Sequence, residues 1–112
     1  MSSSKLLKGS LSTIVLRLLE EQERMYGYEI TQKVKAITAG ELTITEGALY
    51  PTLHKLEADG LLSTQTERVD NRVRKYYSLT KEGNATAESK VAELEAFLLN
   101  LQKVLNPKLG LK

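Results

Sequence analysis

Apolar residues fall along the chain in two rhythms. Leu11, Ile14, Val15, Leu18 and Leu19 recur at helical spacing and predict a first helix running to about Gln22, opened by Ser10 or Ser12. Residues 1–9 ahead of it read as a loose tail closed by Gly9. Ile30, Val34 and Ile37 share one face of a second helix that starts after Gly27 and is ended by Gly40. Leu42-Thr43-Ile44 is extended in character, and a third helix follows. Thr45 caps that helix, or Thr43 and Glu46 do so together as a capping box. Leu49, Leu53 and Leu56 form its buried stripe, Pro51 removes one of its hydrogen bonds, and Gly60 ends it. The rhythm then shortens. Leu62 to Arg68 and Val73 to Leu79 alternate as strands about an Asp70-Asn71 turn, giving a β-hairpin with its tip at 69–72. Thr80 caps a last helix in which Ala87, Val91, Leu94, Leu98, Leu101 and Leu105 are spaced by 4, 3, 4, 3 and 4, a coiled-coil repeat. Asn106-Pro107 stops it, after roughly 37 Å at 1.5 Å per residue. Residues 107–112 read as a second loose tail.

Three short helices, a hairpin and a long helix, in that order, predict a mainly α winged helix-turn-helix. Residues 1–79 form the DNA-binding region and 80–106 a dimerisation helix, within one structural domain. The third helix is then the element for the major groove. With its leucines buried, the outward face carries Gly47, Pro51, His54 and Ala58, flanked by Tyr50 and Lys55. The small residues suit close approach to DNA, and Tyr50, His54 and Lys55 offer hydrogen bonds to phosphates or base edges. Thr45 and Glu46 stand at the helix N-terminus, where backbone N–H groups can meet a phosphate. The hairpin brings the positive charge: Arg68, Arg72, Arg74 and Lys75 against Asp70 alone, with Arg72 at the tip and Arg74 on the same side of the strand. Taken singly, each feature has a plainer explanation. A basic hairpin guards a sheet edge against unwanted pairing, His54 is an exposed histidine, and Tyr26 and Tyr28 are core or interface residues. Of Tyr76 and Tyr77, one packs on the core and the other lies at the surface. The order of elements joins these features into one functional surface.

Composition narrows the picture further. The 112 residues carry a net charge of only +2, so an argument for nucleic acid depends on where the charges sit. Without cysteine, and with His54 the lone histidine, disulfide frameworks, cysteine-based zinc sites, histidine clusters and thiol nucleophiles are excluded. There is no serine-nucleophile motif, phosphate-binding glycine loop or cofactor motif, so the chain reads as no enzyme and as needing no cofactor. The absence of a membrane-length apolar run and of a signal-peptide core predicts a cytoplasmic protein. The rival to DNA binding is a winged-helix module that binds only protein, for which the basic wing has no use.

Several stretches resemble the short form of the PadR family of bacterial transcriptional regulators. They are Tyr26-Gly27-Tyr28-Glu29-Ile30, then Ala48 to Glu57 with its Leu49-Tyr50-Pro51 run, Asp59-Gly60-Leu61-Leu62, and Arg74-Lys75-Tyr76-Tyr77 continuing to Gly83. The resemblance covers about residues 6–105. It implies a repressor that binds near-palindromic operators as a homodimer. Tyr50, Pro51, Thr52 and Lys55 would belong to the recognition helix, and Arg72, Arg74 and Lys75 to the wing. The last helix would meet the partner's first helix, through Leu11, Val15, Val91, Leu94, Phe97, Leu98, Leu101 and Leu105. The chain departs from the family where Asn71 replaces a common glycine and Val73 a common proline; Asn tolerates the left-handed conformation such a turn needs. A small hydrophobic effector, if one acts, is expected between the subunits, lined by Leu11, Val15, Leu94, Phe97, Leu98 and Leu101. The branched aliphatic lining favours a closed, dry core over such a site.

Overall fold

The computed structural model of the chain describes residues 2–110. The helical stripe begins earlier than Gly9 suggests: α1 spans Ser2–Glu21, so residues 2–9 are helical and not a loose tail. Leu7 lies one turn before Leu11 on the same face and packs against the core. Docking that turn outweighs the roughly 1 kcal/mol that a glycine costs inside a helix. Ser10 is no cap; its hydroxyl donates to the Leu6 carbonyl one turn back. The other expected tail also changes. Pro107–Gly110 form a short helix, α5, behind the Asn106 break, while residues 111–112 lie outside the described ones.

A two-residue strand, β1 (Met25–Tyr26), precedes α2 (Gly27–Ile37). The expected two-stranded wing is therefore part of a three-stranded antiparallel sheet of order β1-β3-β2. Here β2 is Leu62–Val69 and β3 is Arg72–Leu79. Met25 pairs with Tyr77 and Tyr26 with Tyr76, so β1 reaches only the base of the hairpin. At the tip, Asp70 and Asn71 both take positive φ, 50° and 64°, the pair a tight two-residue hairpin turn requires.

Two helices end in the same motif on different residues. α3 (Glu46–Ala58) closes with Gly60 N–H bonded to Glu57 and Leu61 N–H to Leu56, placing Gly60 at φ +80°. α2 closes likewise through Ala39 to Ala36 and Gly40 to Lys35, but there the first left-handed residue is Ala39, at φ 52°. Gly40 follows one place too late to relieve it. Ala39→Gly should therefore raise stability by up to about 1 kcal/mol, read as a higher urea midpoint at unchanged slope.

α1, α3 and α4 (Lys81–Leu105) enclose the core. Leu11, Val15 and Leu16 of α1, Ile30 of α2, Leu49 and Leu53 of α3, Met25 and Tyr77 are all sealed from solvent. Tyr77 is the core tyrosine and Tyr76 is half-exposed, as the strand alternation requires. Beyond Leu94, the described residues of α4 are solvent-exposed, in a molecule 58 Å long and 30 by 20 Å across.

Candidate nucleic-acid interface

Thr45 settles the start of α3. Its side chain accepts from the Ala48 N–H at 3.2 Å, and Glu46 is the first helical residue. The helix continues through Pro51, which lies on the exposed side. Gly47, Pro51, His54, Lys55 and Ala58 are all exposed, as the helical phase of the three buried leucines dictates. Lys55 pairs with Asp59 at 3.1 Å; both side chains are about half or more in solvent, so the pair is weak and a phosphate can displace the carboxylate.

Two residues of this helix are less free than the sequence suggests. Thr52 is half-buried and donates its hydroxyl back to the Ala48 carbonyl at 3.2 Å. Tyr50 is half-buried too, its phenol lying directly against Gly27, where any Cβ would collide with the Tyr50 hydroxyl. Burial, and then the charge of Glu46, push the Tyr50 phenol above its ordinary pKa, so it stays a neutral donor. Tyr50 thus locks α3 against the first turn of α2 as well as edging the exposed face.

The wing splits its cations between two faces. Arg72 stands exposed at the tip. Arg74 is half-buried, with its guanidinium 4.4 Å from the centre of the Tyr26 ring. Lys75 points the other way, toward α3, with Nζ 3.7 Å from Glu57 Oε1 and 5.5 Å from the centre of the Tyr77 ring. Between α3 and the wing runs a cleft lined by Tyr50, His54, Val73, Lys75 and Tyr28. Tyr28, read from sequence as core or interface, is 55% exposed. The signal was present in the spacing: two residues before Ile30 lies the opposite side of a helix.

The expected dimer residues separate into two groups. Leu11 and Val15 are 2% and 0% exposed and belong to the core of the chain, so they present no face to a partner or to a ligand held against one; their assignment to the dimer contact and the effector site is corrected. Phe97, Leu98, Leu101 and Leu105 remain exposed, and Val91 and Leu94 are half-buried. Beside them an apolar groove of about 240 Å³ runs between α1, the end of α2 and α4, touched by Ile14, Ile37, Leu42, Leu94 and Leu98. No helix among the described residues is long and apolar enough to cross a membrane.

Comparison with known proteins places this arrangement. A transcriptional regulator from Clostridium thermocellum shares 31% identity and superposes with a TM-score of 0.77, over 92% of this chain and 96% of that one. A PadR family transcriptional regulator from Eggerthella lenta shares 28% identity at a TM-score of 0.76, over 94% and 89% of the two chains. In sequence, an uncharacterized protein of Lysinibacillus sphaericus is 36% identical over 94 residues, 83% of this chain and 85% of that protein. The model of the transcriptional regulator PadR-like family matches residues 15–89, from the core of α1 through the wing into α4. The chain belongs to the PadR-like family of transcriptional regulators, not to a family of enzymes.

Proposed function

We propose that the protein is a homodimeric, sequence-specific DNA-binding repressor that occupies a near-palindromic operator. The observation that carries this reading is the exposed α3 face of Gly47, Pro51, His54 and Ala58 beside an exposed Arg72 wing tip, with the cleft between them edged by Tyr28 and Lys75. Small residues let the helix sit deep in the major groove, while the wing meets the phosphates. His54, Tyr50 and Lys55 are the residues for base edges or nearby phosphates. Thr45, Glu46 and Gly47 bring the helix start to the backbone. Thr52, with its hydroxyl engaged, supports the helix. Two-fold symmetry then sets the two α3 helices about 34 Å apart, on successive major grooves.

The partner is a second copy, laid on the exposed α4 stripe and the apolar groove beside it. The groove is lined mainly by aliphatic side chains, with Arg17 and Glu95 also among the lining residues, which suits an amphipathic partner helix. A small apolar effector would have to compete with that helix for the same surface. By linkage it would weaken operator binding by the factor by which the operator weakens its own.

The test is binding to DNA recovered from a random-sequence pool, and to the protein's own promoter, across a salt series. A dimer that neutralises about six phosphates gives a log–log salt slope of about −5. Arg72→Ala, present twice per dimer, should weaken binding on all sequences and make the slope shallower by about 2. His54→Ala should instead change which operators are preferred. Absence of salt-sensitive binding to any recovered sequence or to the promoter overturns this function.

A further inference from the structure

We propose that Arg24 is a positioning residue for operator binding, latching the wing to the segment between α1 and α2 and so fixing where Arg72 stands relative to α3. This inference rests on the DNA-binding function proposed above.

The latch is a row of five side chains across the sheet. Arg24 Nη1 donates to Glu67 Oε2 at 2.6 Å, a pairing between residues 43 positions apart. The same guanidinium lies 3.9 Å from the centre of the Tyr76 ring. Tyr76 meets Tyr26 edge to face at 5.5 Å, and Arg74 covers the Tyr26 ring. Glu67 and Arg74 are themselves cross-strand partners, which closes the row.

Its placement is what gives it a role. β1 supports β3 only at Tyr76 and Tyr77. From Lys75 to the tip no third strand flanks the hairpin, and apart from the Lys75–Glu57 contact with α3 on the opposite face it is a two-stranded ribbon, an arrangement that is marginal alone. Arg24 reaches past the end of β1 to grip that ribbon at Glu67, two residues short of Val69 at the turn. An exposed ion pair adds little to global stability. Combined with the stacked rings, it sets an angle.

The sign of one substitution separates positioning from plain electrostatics. Removing an acidic group from a DNA-facing wing should by Coulomb's law strengthen binding. If Glu67 is part of a latch, Glu67→Ala should weaken operator binding, by about three- to tenfold. Arg24→Ala should lose as much while keeping the wild-type salt slope, and the double variant should lose no more than either single one. In the free protein, backbone amides of residues 66–75 should exchange with solvent several-fold faster in each single variant. Equal or tighter operator binding by Glu67→Ala overturns the proposal, as does a shallower salt slope in Arg24→Ala, which would mean that Arg24 itself touches phosphate. Unchanged exchange overturns it independently of DNA. A wild-type protein that binds no DNA instead overturns the parent function, and the exchange measurement still decides whether the latch holds the wing.

Discussion

Leu98→Asp leaves a chain that sediments as a monomer or fails to fold, and operator binding is lost with the dimer. Within one protomer Leu98 is half-exposed, in a stripe where Phe97, Leu101, Val104 and Leu105 are also open to solvent. Among the described residues no element lies over them, and so broad an apolar face is the mark of an interface. A carboxylate placed there must be desolvated without a partner, which costs several kcal/mol per copy and is felt twice across a two-fold axis. Ala92→Asp, exposed and on the opposite side of the helix from Leu94 and Leu101, adds the same charge and should keep both dimer and DNA binding. Leu98→Ala removes volume without adding charge, so it should keep the fold and show a concentration-dependent dissociation that sedimentation resolves. A wild-type protein that stays a folded monomer at micromolar concentration refutes the dimer.

The second large effect is on folding and is opposite in sign to what helix propensity predicts. Gly83 lies in the first turn of α4, buried against the carbonyl of Leu61, which any Cβ there would overlap. That carbonyl cannot retreat. It accepts the Thr80 N–H at 3.0 Å, while the Thr80 hydroxyl caps α4 through Gly83 N–H at 2.9 Å and donates to the Gly60 carbonyl at 2.7 Å. The end of α3 and the start of α4 are thus one hydrogen-bonded knot, with Gly83 at its centre. Gly83→Ala gains about 1 kcal/mol of helix propensity but forces backbone apart and strains at least one of these bonds, for a net loss of about 2 kcal/mol. The melting temperature should fall by about 10 °C. Gly9→Ala is the control: it is also helical, nothing lies within 4 Å of the added Cβ, and it should be stabilised. If Gly83→Ala is as stable as Gly9→Ala, the close approach is not there.

What the sequence determined by itself is what repeats or what chain geometry demands locally. The leucines of α3 fix its outward face, because three buried positions on a 3.6-residue helix leave only one side for Gly47, Pro51, His54 and Ala58. Thr80 announced the start of α4, Gly60 the end of α3 and Asp70-Asn71 the tip of the wing, since caps and left-handed turns need those residue types. The family, too, was legible in the Leu49-Tyr50-Pro51 and Arg74-Lys75-Tyr76-Tyr77 runs. Tertiary structure decided everything that depends on a neighbour far along the chain. β1 is two residues long, too short for any periodicity, and exists because β3 has an open edge there. Leu11 and Val15 carry the same apolar character as Leu98 and Leu101, yet one pair is sealed in the core and the other faces out, because only packing says which stripe is covered from within. Arg74 looked like a free cation until Tyr26 was laid beneath it. Nothing local explains Gly83 inside a helix, and only the fold, by bringing the Leu61 carbonyl against it, made the missing side chain a requirement.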